Sequence, residues 1–340
     1  MKIAVYRGGT SMERDVSLIS GRYIGEALKG MRHEVLYIDP AFPPKQIKQQ
    51  VDNNYDIDLE PPSLEEIKEL NHRNIFELLL DETVESCDFH FIGLHGGIGE
   101  NGLLQGMMEH LGYKYNGPNA SASSLAMDKH LTKQIMVAQG IPTAEWLIVT
   151  QSQWKNNPAR VRATIQEKFT PKIVVKPNSQ GSTIGLTILG NLENLENALK
   201  KAFEYDEKVM VETFIPGREI TASILGNEAL PLIEIKPQHG VYDYECKYSE
   251  GMSQYEVPAQ LDEKMTKEIQ NHAIRLYHSI GAGGYSRVDF RLSEVDEPLC
   301  LEVNTLPGMT KTSLVPKAAK AAGFSGEKLL EKIIEFGQME

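Results

Sequence analysis

Two carboxylates that can meet across a hairpin give the strongest chemical signal in this chain. The stretches 286–292 and 299–304 flank a polar turn over 293–298 and read as two antiparallel strands. A turn centred on Val295 and Asp296 sets Val288 against Val303, Phe290 against Leu301 and Leu292 against Leu299, a wholly apolar face. The opposite face then carries Arg287 across from Asn304 and Asp289 across from Glu302. Oxygen donors of this kind suit Mg²⁺, which keeps several waters and bridges to substrate phosphates. Past the second strand, Asn304-Thr-Leu-Pro-Gly308-Met-Thr runs into Ser313. A glycine amide and hydroxyls there can steady an oxyanion or bind a carboxylate.

The elements that must position these groups follow from periodicity. A strand (Lys2 to Tyr6), a Gly8-Gly9 turn, a helix through Val16, Ile19, Ile24 and Leu28, and a strand ending at Asp39 make a βαβ start. A polar stretch with one helical segment, Leu64 to Leu80, precedes an apolar strand, Phe89 to Leu94. Residues 121–140 read as helical, and a buried strand, Ile173 to Lys176, leads into the glycine-bearing loop Asn178–Gly185. Val209–Phe214 reads as another strand, after which Arg218–Leu225 and Ala229–Ile235 alternate as antiparallel strands. Residues 236–260 are polar and aromatic with little periodicity, and read as a mobile flap over a site. The fold class is α/β (α+β), in three units: 1–117, 118–212 and 213–340.

With 340 residues, two or three domains and a cleft between them are the expectation. A net charge of −12 without a basic run disfavours nucleic acid as a partner and leaves small molecules. The opening MKIAVYRGG is too short for a signal sequence and nothing is apolar enough to cross a bilayer, so a cytoplasmic protein without membrane partners is expected. Cys87, Cys246 and Cys300 are far apart and lack metal spacing, and read as reduced structural thiols.

Arg287-Val-Asp-Phe followed by Glu302-Val-Asn-Thr-Leu-Pro-Gly-Met-Thr resembles the C-terminal signature of the D-alanine-D-alanine ligase family. GGTSMERDVS (8–17), GLHGGIGENG (93–102), AMDKHLTK (126–133), KPNSQGSTIG (176–185), ETFIPGREIT (212–221) and YDYECKY (242–248) are similar to further family blocks, in the family's order. The resemblance implies a three-domain ATP-grasp fold with a Rossmann-like N-terminal domain, ATP, and one or two Mg²⁺ ions on Asp289, Glu302 and Asn304, with Mn²⁺ as a substitute. It implies Lys129 and Lys176 at the α- and β-phosphates, with the loop amides of Gly181, Ser182 and Thr183 close by, and Lys247 at the γ-phosphate. Glu212, Phe214 and Ile215 would hold adenine through backbone groups and Glu219 the ribose. Glu13 would receive the ammonium of the first D-alanine and His95 would line its pocket. Arg287 and the Gly308 amide would stabilise the oxyanion, and Ser313 would bind the second substrate's carboxylate. Tyr248 would latch the flap onto Ser182 and Glu13. A homodimer is also implied. The chain departs from the family at Gly283, Asn101 and Cys246, none of which is a core ligand.

A nicotinamide-dependent oxidoreductase is disfavoured because the turn reads GGTSME and lacks G-x-G-x-x-G. A nucleotide sensor without turnover is disfavoured by intact Lys247, Arg287, Asp289, Glu302 and Asn304. Among ligases, Lys247-Tyr248 favours D-alanine as second substrate over D-lactate, with D-serine or another amino acid as alternatives.

Overall fold

The computed structural model describes residues 1–49, 61–169, 172–238, 242, 244–248, 251–310 and 312–339. β1 (Lys2–Tyr6), β2 (Glu34–Ile38) and β3 (Phe89–Ile92) form a parallel sheet in the order β2-β1-β3. Central β1 is apolar on both faces, as a parallel strand covered on both sides must be, and its residues from Ile3 to Tyr6 are fully buried. The helix Arg14–Gly30 makes the crossover and turns Val16, Ile24 and Leu28 inward. The helical segment expected over 64–80 is two helices, Leu64–Glu69 and Asn74–Leu79. Asn71 separates them: its side chain accepts the Arg73 N–H and donates to Asn74, which competes with the helical ladder.

The second sheet is antiparallel, with β4 (Trp146–Thr150), β5 (Ile173–Pro177), β6 (Thr187–Leu189) and β7 (Lys208–Thr213) in the order β4-β7-β5-β6. One face buries Val149, Ile173, Val175, Val209 and Val211 under helices that contribute Ile165, Leu195 and Leu199.

The third sheet is also antiparallel. β8 (Arg218–Leu225), β9 (Glu228–Ala229), β10 (Ile233–Pro237), β11 (Ser253–Glu256), β12 (Tyr285–Leu292) and β13 (Pro298–Asn304) follow the order β11-β10-β8-β12-β13, with β9 on β8. The helices Ala120–Met127, Lys129–Ala138 and Glu263–Ser279 cover one face, packing Ala122, Met136, Ile269 and Leu276 on Ile220, Val288 and Phe290. The helical pattern of 121–140 is thus interrupted once. Asp128 stops the first helix and caps the second by accepting the Leu131 N–H at 3.0 Å. The C-terminal helices Leu314–Ala321 and Gly326–Met339 share a core with β1 and β3, which carries the loop 304–313 to the loops that follow those strands.

Two sequence expectations change here. The segment 236–260 is not irregular throughout: β11 pairs with β10, Gln238 N–H donates to the Met252 carbonyl, and a short helix, Tyr244–Tyr248, lies at the turn. Residues 239–241, 243 and 249–250 of that flap lie outside the described residues. The hairpin register is as expected for Arg287↔Asn304, Val288↔Val303 and Asp289↔Glu302, but then shifts: Phe290 faces Cys300 and Leu292 faces Pro298, not Leu301 and Leu299. The cause is a β-bulge at Leu301, which turns out of the core alongside Glu302 while Cys300 takes the buried position.

Candidate active site

A cleft lies between the second and third sheets, and the charges on its walls are paired within each wall and across it. Lys176, at the end of β5, donates to Glu212 Oε1 on β7 at 2.6 Å. Glu212 is 3% exposed, and its other oxygen meets the fully buried Lys133 at 3.0 Å. Burial alone would raise the Glu212 carboxyl, yet Lys133 and Lys176 hold it down to about 2. Lys129 reaches across the cleft, donating to the Gln180 carbonyl at 2.7 Å and lying 3.1 Å from Glu302 Oε2. Glu302 is likewise held down to about 2 against its burial by Lys129, Lys176 and Lys247. In the loop that follows β5, Ser182 and Thr183 both take positive φ, 47° and 58°, a strained conformation of the kind found at ligand loops.

Asp289 is the most heavily bonded acid of the cleft. It accepts Arg287 Nε at 2.8 Å and Nη2 at 2.7 Å, Thr221 Oγ1 at 2.6 Å and Asn304 Nδ2 at 3.0 Å. Burial works against the Arg287 charge, but Asp289 more than offsets it and holds the guanidinium above its ordinary range. Asn304 gives its amide nitrogen to Asp289, so Oδ1 is left to coordinate; it and Glu302 Oε1 accept no hydrogen bond among the described residues. Two carboxylates and a carboxamide oxygen are too few to cage a cation. They fit Mg²⁺ that completes its shell with phosphate oxygens and water, and no cluster of three or more acidic, His or Cys ligands competes among the described residues.

The far end of this cleft holds the segment expected to bind adenine and ribose. Thr213 and Phe214 N–H groups already donate to the carbonyls of Glu145 and Lys172, whereas the Ile215 N–H makes no hydrogen bond among the described residues. Of the expected adenine-holding segment, Ile215 is therefore the residue with a backbone donor to give, and the Glu212 side chain belongs to the lysine pair. Lys172 Nζ sits 3.8 Å from the Phe214 ring centroid. Glu219 pairs with Arg291 at 3.2 Å, and burial raises its carboxyl despite that partner. Leu301, displaced by the bulge, lines the same end.

A second pocket adjoins the first and shares Gly181, Ser182, Tyr242 and Lys247 with it. Its acidic wall is Glu13, which accepts the Ser182 hydroxyl, and Glu100. Burial, then Glu100, pushes the Glu13 carboxyl up from its ordinary value. His95 has both ring nitrogens engaged: Nδ1 faces the Leu306 carbonyl at 3.2 Å and Nε2 the Ser20 hydroxyl at 2.8 Å. A carbonyl accepts only, so Nδ1 carries a proton toward Leu306. His95 thus braces the loop 304–313 as well as lining the pocket. The opposite wall holds Arg287, Asn304, Gly308 and Ser313, whose hydroxyl accepts the Thr310 N–H at 3.1 Å.

The structure thus gathers every candidate whose side chain is described into one of two contiguous pockets. The Tyr248 side chain lies outside the described residues, although the Ser182–Glu13 pair it was expected to join is present. Sequence reasoning missed Lys133, Glu100, Thr221, Tyr242 and Arg291. Lys133 had a readable signal, because Lys129, Thr132, Lys133 and Met136 form the buried stripe of their helix, where two lysines stand in place of apolar residues.

A cation-lined cleft between two antiparallel sheets, with two facing acids on one wall and an acidic pocket at its end, is the arrangement of an ATP-grasp ligase. Family comparison narrows this. "D-ala D-ala ligase N-terminus" matches residues 2–118 and "D-ala D-ala ligase C-terminus" matches residues 135–335. The D-alanine–D-alanine ligase of Halalkalibacterium halodurans is 40% identical over 339 residues, covering 98% of each chain. That of Pelotomaculum thermopropionicum is also 40% identical, covering 98% of this chain and 96% of its own. Among solved structures, the D-alanine–D-alanine ligase of Bacillus anthracis complexed with ATP superposes with a TM-score of 0.77 at 31% identity, over 100% of this chain and 97% of that one. The chain belongs to the D-alanine–D-alanine ligase family.

Proposed function

We propose that this enzyme joins two D-alanines into D-alanyl-D-alanine at the expense of ATP, for bacterial peptidoglycan precursor synthesis. The observation that carries the reading is that one polar hairpin face serves both pockets. Asp289 and Glu302 line the nucleotide cleft, and the next rung, Arg287 and Asn304, lines the acidic pocket. A carboxylate in the second pocket would then lie at the end of the phosphate chain in the first.

The first D-alanine's carboxylate oxygen attacks the γ-phosphorus, the bond to the bridging oxygen breaks and ADP leaves. The second D-alanine's amine, having lost a proton, attacks the acyl carbon, and the carbon–oxygen bond to phosphate breaks. The enzyme's contribution is positioning and neutralisation of charge. Lys129 and Lys176 would hold the α- and β-phosphates with the Gly181, Ser182 and Thr183 amides, Lys247 the γ-phosphate, Ile215 and Phe214 the base and Glu219 the ribose. Asp289, Glu302 and Asn304 would hold Mg²⁺, which would supply further neutralisation at the phosphates. Glu13, with Glu100 behind it, would take the first ammonium. Arg287 and the Gly308 N–H would face the oxyanion, Ser313 the second carboxylate, and Tyr248 would close the flap. We further infer three functional units, 1–117, 118–212 and 213–340, and a cytoplasmic homodimer, which light scattering would check.

Purified enzyme with ATP and Mg²⁺ should form ADP, phosphate and the dipeptide on addition of D-alanine, and little product with L-alanine or D-lactate. ADP formation that ignores D-alanine, with no dipeptide by mass spectrometry, would sink the reading.

A further inference from the structure

Lys133 lines neither pocket, yet its ammonium is fully buried and held by two hydrogen bonds and an ion pair. It donates to Thr143 Oγ1 at 2.7 Å and to the Ala144 carbonyl at 3.3 Å, and lies 3.0 Å from Glu212 Oε2. Two routes lead from it to the nucleotide cleft. Along the first, Glu212 gives its other oxygen to Lys176 at 2.6 Å. A carboxylate paired with one lysine would cancel that lysine's charge. Shared between two, it leaves the triad with a net positive charge, and the cation of the triad that lines the cleft, beside Glu212, is Lys176. Along the second, Thr143 Oγ1 passes the contact on by donating to the Cys300 carbonyl at 2.7 Å, and the Cys300 N–H donates to Pro142. Cys300 immediately precedes Leu301 and Glu302, the bulged pair that turns into the cleft. One buried ammonium therefore ties the sheet that carries Lys176 to the strand that carries Glu302.

We propose that Lys133 is a positioning residue for nucleotide binding: it occupies Glu212 so that the Lys176 charge faces the phosphates. The cost of burying this ammonium supports such a role, since a lysine that only filled space would be replaced at lower cost by Met or Leu. Burial does lower the amine's proton affinity, and Glu212 restores part of it. The proposal rests on reading the cleft as the ATP site.

The test is equilibrium binding of ADP by calorimetry, with turnover kinetics beside it, on the full-length enzyme. In Lys133→Met, Glu212 is left with Lys176 alone, so the Kd for ADP and the KM for ATP should rise about tenfold or more, with the KM for D-alanine within about twofold of native. In the double variant Lys133→Met/Glu212→Gln the cancelling carboxylate is gone too, and ADP affinity should return to within about threefold of native. A packing role would give no such recovery. Native-like ADP affinity in folded Lys133→Met, or a double variant as weak as the single, would overturn the assignment. If Lys133→Met does not fold, the double variant decides alone: native-like affinity supports the proposal and weakened affinity overturns it. Failure of both to fold would overturn it as well, because Lys133 would then serve the fold alone. A native protein that bound no ADP would instead remove the reading of the cleft.

Discussion

Replacing Glu212 by Gln should destabilise the enzyme by an amount that depends on pH in a calculable way. The Glu212 carboxyl is held at about 2 in the folded protein against an ordinary value of 4.5. At about 1.4 kcal/mol for each pH unit, that gap amounts to about 3 kcal/mol of stability. The sign follows from the direction of the shift. A carboxyl depressed on folding stabilises fully above its unfolded value and loses that stability as pH falls through the folded one. Glu212→Gln lacks the contribution at every pH, and protonated Glu212 resembles Gln. The native-minus-variant gap should therefore be about 3 kcal/mol at pH 7, fall to roughly half by pH 3 and approach zero near pH 2. Other carboxyls titrate in both proteins and cancel. Urea unfolding followed by fluorescence reads the relevant region, since the two tryptophans, Trp146 and Trp154, lie on β4 and the helix Gln151–Asn156 that follows it. A gap that stays constant from pH 7 to 3 would refute the buried ion pairing.

Glu302→Gln should cut turnover about 100-fold or more by weakening the Mg²⁺ site, while the hairpin's apolar face keeps the fold; normal turnover across a Mg²⁺ titration would exclude Glu302 as a ligand. In Gly181→Ala the new Cβ would stand 2.9 Å from Glu13 Oε2, so the KM for D-alanine should rise about tenfold as the carboxylate is pushed aside; an unchanged KM would show that Glu13 does not hold substrate. Phe290→Ala should cost about 3–5 kcal/mol of unfolding free energy, since the ring is fully buried under the metal-side hairpin, and a loss below about 1 kcal/mol would argue against that core position.

The hairpin shows what the sequence discloses and where it stops. Alternation of Arg287, Asp289, Glu302 and Asn304 with apolar neighbours is enough to place all four on one face, because a slip by one residue would bury charge. The bulge at Leu301 is not legible in the same way. Leucine satisfies a core position as well as a nucleotide-facing one, and Cys300 and Pro298 are apolar enough to replace it inside. The break at Asp128 and the gap at Asn71 are local side-chain choices that compete with a helical pattern otherwise continuous. Lys133 and Arg291 depend on tertiary partners, Glu212 and Glu219, that lie far away in sequence, and Glu100 gains its place from Glu13, with which it shares a pocket. Single charges on a helix or strand are ordinarily solvated, so only the fold identifies these as buried or paired.

The central claim is that the D-alanine carboxylate is phosphorylated and that its oxygen leaves with the phosphate. D-alanine labelled with ¹⁸O in both carboxylate oxygens, turned over with unlabelled ATP, tests this directly by mass spectrometry of the products. Attack of that carboxylate on the γ-phosphorus predicts one ¹⁸O in each phosphate released and one fewer in the dipeptide than in the two substrates combined. Unlabelled phosphate, with the fourth ¹⁸O lost to water, would contradict the acyl-phosphate route and with it the roles assigned to both pockets.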